Sequence, residues 1–146
     1  WQVQRIITVL DCPLAHRHEV VAEWYGAAVH FADAVIVTRR WEVPGQWLSK
    51  HLATYTDTFY PCLFVNLLKN GSLANPAEVI EGEPLRMSHI FDEIDAVDEM
   101  EFDEDNLPDE PFDLVRQPDK YFARDDYGRR LISVPDIAET LRVEGR

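Results

Sequence analysis

The sequence has no long apolar run and few cysteines, and both shortages exclude classes of protein. No apolar stretch approaches the roughly 20 residues that a membrane-spanning helix needs, and no signal-peptide pattern opens the chain. Two cysteines, Cys12 and Cys62, are too few for a disulfide-stapled scaffold, although their spacing leaves a single bridge open. We expect a soluble cytoplasmic protein with one core. Because it starts at Trp1 and enters a strand almost at once, we interpret the chain as a fragment or a trimmed product.

Basic residues are missing from one long stretch of the chain. Between Arg86 and Arg116 there is no Lys or Arg, but there are twelve Asp or Glu residues. The chain has 27 acidic and 14 basic residues, and its net charge of −13 argues against binding to nucleic acid or to anionic membranes. We predict an acidic linker or loop over 91–113, since Pro108 and Pro111 interrupt it and apolar residues are few. An acidic arm that binds a cation or a basic partner is the alternative.

Several motifs that would decide a function are also absent. The six glycines cannot form the phosphate loop G-x-x-x-x-G-K-[ST]. The patterns G-x-G-x-x-G, G-x-S-x-G and H-E-x-x-H are missing as well, so dinucleotide-binding, serine-hydrolase and zinc-protease interpretations have no local support. We assign no catalytic residue.

The first half of the chain alternates between strand and helix patterns. The β-branched run Val3–Leu10 predicts a strand, and apolar residues at three- and four-residue spacing predict a helix over Ala15–Phe31. The short run Ala34–Thr38 is typical of a strand that is covered on both faces. A second helix follows Pro44-Gly45, with an apolar stripe at Leu48, Leu52, Tyr55 and Phe59. Cys62–Leu68 predicts a third strand.

These elements predict an α/β fold, a small parallel sheet with flanking helices that resembles part of a doubly wound nucleotide-binding domain. We expect a partial domain over 1–90, with a short helix starting at Asn75-Pro76, then the acidic linker. The remainder, 114–146, is predicted as a short α+β tail. It would contain a hairpin over Tyr121–Val134, about Asp126-Tyr127-Gly128, and a last helix from Pro135-Asp136 through Leu141.

Ligands of open parallel sheets collect where the strands end. Here those places are Asp11-Cys12, Thr38-Arg39-Arg40 and the neighbourhood of Asn66–Asn70. They are the positions at which we look for a binding site.

Two segments carry a resemblance to a known family. The run Ile6–Asp11, the helix after it and the run His30–Trp41 resemble the middle of the CobW-like P-loop GTPases. In that family a strand ending in V-D precedes a helix, an Ala-Asp pair and a hydrophobic strand that enters the guanine-recognition motif N-K-x-D. The resemblance covers residues 5–68, and it implies a nucleotide-binding protein of the metallochaperone-related GTPase group with GTP and Mg²⁺ as cofactors. The resemblance places Thr38, Arg39 and Trp41 beside the base of the nucleotide, and Asp11 nearer the far side of the nucleotide.

The chain departs from the family pattern in two ways. Thr38-Arg39-Arg40-Trp41 stands where the family has N-K-x-D, so Trp41 replaces the Asp that accepts hydrogen bonds from guanine. The family's phosphate loop and its cysteine-rich metal motif belong upstream of this chain. We therefore predict the carboxyl-side portion of a GTPase-like protein, which does not hydrolyse GTP by itself. For Arg39, whose planar guanidinium suits a base or a phosphate, pairing with a carboxylate such as Glu42 is the alternative.

A metal site is a separate hypothesis. Cys12, His16 and His18 follow the first strand closely and offer the thiolate and imidazole ligands that zinc or another divalent metal prefers. Their C-x₃-H-x-H spacing matches no common closed zinc motif, and the alternative is that Cys12 and Cys62 are small buried residues.

The competing functional hypothesis is a non-catalytic α/β domain that binds a protein partner. It would dock that partner, or a second copy of itself, through the acidic arm and an Arg-rich tail. Self-association is also expected of a sheet cut from a larger one, since an unpaired strand edge recruits other chains. The arginines of that tail are Arg124, Arg129 and Arg130.

Overall fold

A computed structural model describes residues 3–92 and 118–145 of the chain. The acidic linker predicted over 91–113 lies outside the described residues apart from positions 91 and 92, and so does Trp1. Within the described ranges, no helix has both the length and the apolar composition to cross a membrane.

The sheet has three parallel strands in the order β1-β2-β3, which confirms the predicted α/β architecture. The strands are β1 (Ile7–Asp11), β2 (Ala34–Thr38) and β3 (Leu63–Asn66). Asp11 of β1 is in register with Thr38 of β2. The predicted bounds of β2 are confirmed, whereas β1 begins four residues later than predicted and β3 ends two residues earlier.

The helix predicted over Ala15–Phe31 is wrong in one respect, because the structure has two helices there. They are α1 (Cys12–Arg17) and α2 (Glu19–His30), separated by His18 in an extended conformation at φ −127° and ψ 107°. Helix α1 starts early because the Asp11 side chain caps it, accepting a 3.0 Å hydrogen bond from the Leu14 amide. Pro13 fits the first turn of a helix, where its missing N–H costs nothing.

Helix α3 (Gly45–Thr56) ends before the predicted stripe does. Phe59, which we assigned to the buried face, is 89% exposed and has a left-handed backbone at φ 58°. The chain reverses there, and the Tyr60 amide bonds back to the Tyr55 carbonyl at 3.1 Å. Tyr55 itself is buried as predicted.

Helices α1, α2 and α3 share one core with the sheet. This core contains the β1 and β2 side chains Leu10, Val35 and Val37. Because side chains alternate along a strand, the neighbouring β1 residues Ile7 and Val9 point to the opposite face, where they are 40% and 56% exposed.

Two short helices complete the described chain. Helix α4 (Pro76–Ile80) begins where the Asn75-Pro76 pair predicts, and α5 (Ala138–Glu144) runs past the predicted end at Leu141. Of the predicted hairpin, the structure has a single antiparallel bridge between Arg124 and Arg130, with a turn that requires a positive φ at Gly128.

Candidate functional site

The carboxyl edge of the sheet brings Asp11 and Arg39 together, as the parallel topology predicts. Arg39 Nη1 donates to Asp11 Oδ2 at 2.9 Å, joining the ends of β1 and β2. Thr38 lies at the same edge but is nearly buried, and its hydroxyl donates to the Leu10 carbonyl at 2.9 Å. The Thr38 side chain therefore joins β2 to β1 and leaves little surface for a ligand.

Arg39 is held in a strained backbone conformation. Its φ of 52° and ψ of 28° lie in the left-handed region, which a non-glycine residue adopts only where the surroundings enforce it. Its guanidinium also donates to both carboxylate oxygens of Glu42, at 3.1 and 2.8 Å, so the pairing with Glu42 that we considered is present. These hydrogen bonds lower the pKa of Glu42 and raise that of Arg39.

Arg39, in its left-handed conformation, directly precedes a 3₁₀ turn (Arg40–Glu42). Trp41, in the middle of that turn, lines a cavity. The cavity has a volume of about 410 Å³ and lies where β2 and β3 end. Lys69, which follows β3, places its ammonium 5.5 Å from the centre of the Trp41 ring. The residues that line the cavity are Arg40, Trp41, Gly45, Leu48, Leu67, Leu68 and Lys69.

This lining fixes the chemistry that the cavity can offer. Leucine side chains and the indole of Trp41 provide apolar contact and a ring on which a flat group can stack. The two charged side chains, Arg40 and Lys69, are cations that only donate hydrogen bonds. A flat ring joined to an anionic group therefore matches both parts of the lining.

The three candidate metal ligands lie in three different environments. Cys12 is fully buried in the core, and burial, helped by the neighbouring Asp11 carboxylate, raises the pKa of its thiol to about 11. His16 packs edge-on against Trp47 at 4.9 Å between ring centres, and His18 Nε2 lies 2.6 Å from Glu144 Oε1. Over residues 3–92 and 118–145, no group of three or more His, Cys, Asp or Glu side chains is placed to hold a metal.

Cys12 and Cys62 do not form a disulfide bond. Cys12 and Cys62 are both free and buried, so the interpretation of each as a small buried residue is confirmed. Burial also raises the pKa of the Cys62 thiol to about 11, which keeps it protonated at neutral pH.

Five of the seven residues that line the cavity lie at positions named from the sequence as candidates for a binding site, but the cavity itself was not predicted. Leu48 was assigned to the buried stripe of α3, and Lys69 was covered only by the Asn66–Asn70 neighbourhood named as a strand end. The available signal was topological, since β2 and β3 are adjacent and parallel and the residues after them meet at one edge.

Comparison of the chain with protein-family models, with curated proteins and with solved structures finds no significant match. The resemblance to CobW-like GTPases thus rests on the two segments of sequence described above.

Proposed function

We propose that this chain is the carboxyl-side portion of a nucleotide-binding, GTPase-related protein and that it is not catalytic on its own. The observation that supports this most is the cavity beside Trp41. It lies at the carboxyl edge of a parallel sheet, where open α/β folds bind their ligands, and its volume falls in the range of small-molecule sites.

In this proposal the base of the nucleotide enters the cavity and stacks on Trp41. Arg39 stands one residue before the 3₁₀ turn and is fixed by Asp11 and Glu42, so the turn that carries Trp41 is braced against the end of β1. Because the turn is already held in one conformation, less conformational entropy is lost when a ligand binds. The resemblance places the phosphate loop, and with it GTP phosphates and Mg²⁺, on a segment upstream of this chain.

Replacing Trp41 with alanine is expected to weaken nucleotide binding roughly tenfold or more, because stacking one base on an aromatic ring contributes about 1–3 kcal/mol. The measurement is a titration of the chain with fluorescent GTP and ATP analogues in the presence of Mg²⁺. Trp41 is 41% exposed, so the substitution leaves the core intact.

The matched control is Phe59→Ala, which removes an aromatic ring that is 89% exposed and does not line the cavity. It should bind nucleotide as the unsubstituted chain does. Equal affinities for Trp41→Ala and the unsubstituted chain would remove Trp41 from the site, and no binding by the unsubstituted chain at millimolar nucleotide would refute the proposal.

A second candidate function, self-association, is favoured by the exposed face and edge of β1. Among the described strands β1 pairs only with β2, and Ile7 and Val9 are exposed beside its free edge. Parallel sheets are ordinarily covered on both faces. We propose that two copies of the chain associate through this strand.

Substituting Val9 with lysine is expected to shift the chain toward monomer, since a charge on the face or edge of a strand opposes pairing. Sedimentation velocity across micromolar concentrations measures this. Ser49→Lys adds the same charge at an exposed position of α3 and should leave the distribution unchanged. A monomeric unsubstituted chain over that range would overturn this second proposal.

A further inference from the structure

We propose that Lys69 covers the Trp41 ring in the free protein and that a nucleotide displaces it, so that the Lys69 ammonium moves from the ring to the phosphate nearest the base. This inference rests on the proposed nucleotide-binding function. It names Lys69 as the residue through which the cavity favours a nucleotide over the uncharged nucleoside.

The first step is that Lys69 and a stacked base would occupy the same place. The Lys69 ammonium lies 5.5 Å from the centre of the Trp41 ring, within the range of a cation–π contact. Both side chains line one cavity, so a ligand there meets a ring that an ammonium already contacts. A base stacks on that face of Trp41 only after Lys69 has left it. Both side chains are exposed, and a cation–π contact is weak at an exposed site, so the displacement costs little.

The second step concerns the charge that Lys69 brings to the cavity. Lys69 and Arg40 are the two cations of the lining, and in the described part of the chain neither has a carboxylate partner. Arg39, one residue before Arg40, is by contrast paired with two carboxylates. Two cations without an ion pair, in a chain whose net charge is −13, make this cavity a place that attracts an anion.

The third step concerns where the displaced ammonium goes. A lysine side chain is a flexible four-carbon stem that ends in a point charge, and its N–H groups only donate hydrogen bonds. A nucleotide offers two kinds of acceptor, the uncharged O6 and N7 atoms of a base such as guanine and the anionic phosphate oxygens. The phosphate is the stronger partner, because attraction between opposite charges adds to the hydrogen bond.

Guanosine and its 5′-monophosphate separate the two contacts of Lys69. We expect Lys69→Ala to raise the affinity for guanosine about twofold, because no cation–π contact has to be broken when the base stacks. The same substitution should lower the affinity for the monophosphate about fivefold, because the phosphate loses a charged donor. The dissociation constants are measured by competition against the fluorescent GTP analogue.

The matched control is Lys50→Ala, which removes the same charge from an exposed position of α3 that does not line the cavity. It should leave both affinities unchanged. For Lys69→Ala, a fall in both affinities would place the ammonium at the edge of the base, and changes of the same sign or none would overturn the inference while leaving the proposed function standing. Failure of the unsubstituted chain to bind the GTP analogue would instead refute the proposed function.

The displacement itself is measured by NMR on the whole chain. The ring current of an indole moves the signals of protons above its face upfield, so the ε-methylene signal of Lys69 should lie upfield in the free protein and return downfield as the monophosphate binds. Trp41→Ala gives the position of this signal without the ring. A signal that saturating monophosphate leaves in place, or one that already matches Trp41→Ala in the free protein, would overturn the inference.

Discussion

Replacement of Asp33 by alanine is expected to lower the free energy of unfolding by about 4 kcal/mol, in the range found when one partner of a buried ion pair is removed. Asp33 is fully buried and holds three segments together. Its carboxylate accepts from the Ile6 amide at 2.6 Å, from the Leu85 amide at 2.7 Å and from Arg86 Nη1 at 3.1 Å. Without it, a guanidinium that is only 2% exposed and two backbone amides lose an acceptor.

Such a loss is a large share of the roughly 5–15 kcal/mol that stabilises an ordinary domain. Urea and thermal unfolding followed by circular dichroism measure it, and a fall in Tm of about 10 °C is expected. Asp57→Ala is the control, because it removes an exposed carboxylate at the end of α3. If both substitutions cost the same, Asp33 does not stabilise the fold as its geometry indicates.

A double substitution separates the charge from the contacts. Arg86→Met alone should also be strongly destabilising, whereas Asp33→Leu combined with Arg86→Met removes both charges and should cost less than the sum of the two single changes. Arg86 also pairs with Asp92 at 2.5 Å, so part of the loss remains in the double variant. Additive losses would contradict a direct coupling between the two side chains.

The fold was largely predictable because local patterns and topology agree in the first half of the chain. The continuous β-branched run Ala34–Thr38 has no competing helical pattern, and its predicted bounds are those of β2. The break at His18 was not predictable from periodicity, since one extended residue between two helices barely disturbs the spacing of the apolar residues. The start of α1 at Cys12 could have been predicted from Asp11, because an acidic residue followed closely by a proline such as Pro13 is typical of a helix N-terminus.

Only those features of the candidate site that follow from the order and direction of the strands could be predicted from the sequence. Adjacent parallel strands place the end of β1 beside the end of β2, and Asp11 is in register with Thr38, but the hydrogen bond from Arg39 to Asp11 was not predicted. The position of Trp41 depends on a left-handed conformation at Arg39, which is not a residue type that signals such a turn. Lys69 reaches Trp41 only through tertiary packing, and no sequence spacing encodes that distance.

The tail is expected to detach from the rest of the chain when Asp119 is replaced by alanine. Asp119 Oδ2 lies 2.7 Å from His30 Nε2, and the two side chains are only 10% and 6% exposed. Its other oxygen accepts from the Tyr121 amide at 2.9 Å, and Tyr121 packs against the His30 ring at 5.1 Å between ring centres. We expect a loss of about 3 kcal/mol, because the buried imidazole would lose its hydrogen-bond partner.

Asp119→Ala should destabilise the tail more than the sheet, and this distinguishes it from Asp33→Ala. Hydrogen exchange of residues 118–123, which include the docked Tyr121, should accelerate more than that of β2. Asp126→Ala is the matched control, because it removes an exposed carboxylate from the same tail. Equal exchange in the two variants would show that the hydrogen bond to His30 does not hold the tail.

The stabilisation that Asp119 contributes is expected to decrease in acid. Burial opposes ionisation of Asp119, but hydrogen bonds from Ser88, His30 and the Tyr121 amide outweigh it and hold the pKa of the carboxyl below its ordinary value. The carboxylate form therefore stabilises the folded state above the unfolded pKa of about 3.9, and this contribution disappears as the pH falls through the lower folded value. The stability difference between the unsubstituted chain and Asp119→Ala should thus be constant near neutral pH and shrink in acid below about pH 4. A difference that grows in acid would mean that the neutral carboxyl, and not the carboxylate, holds the tail.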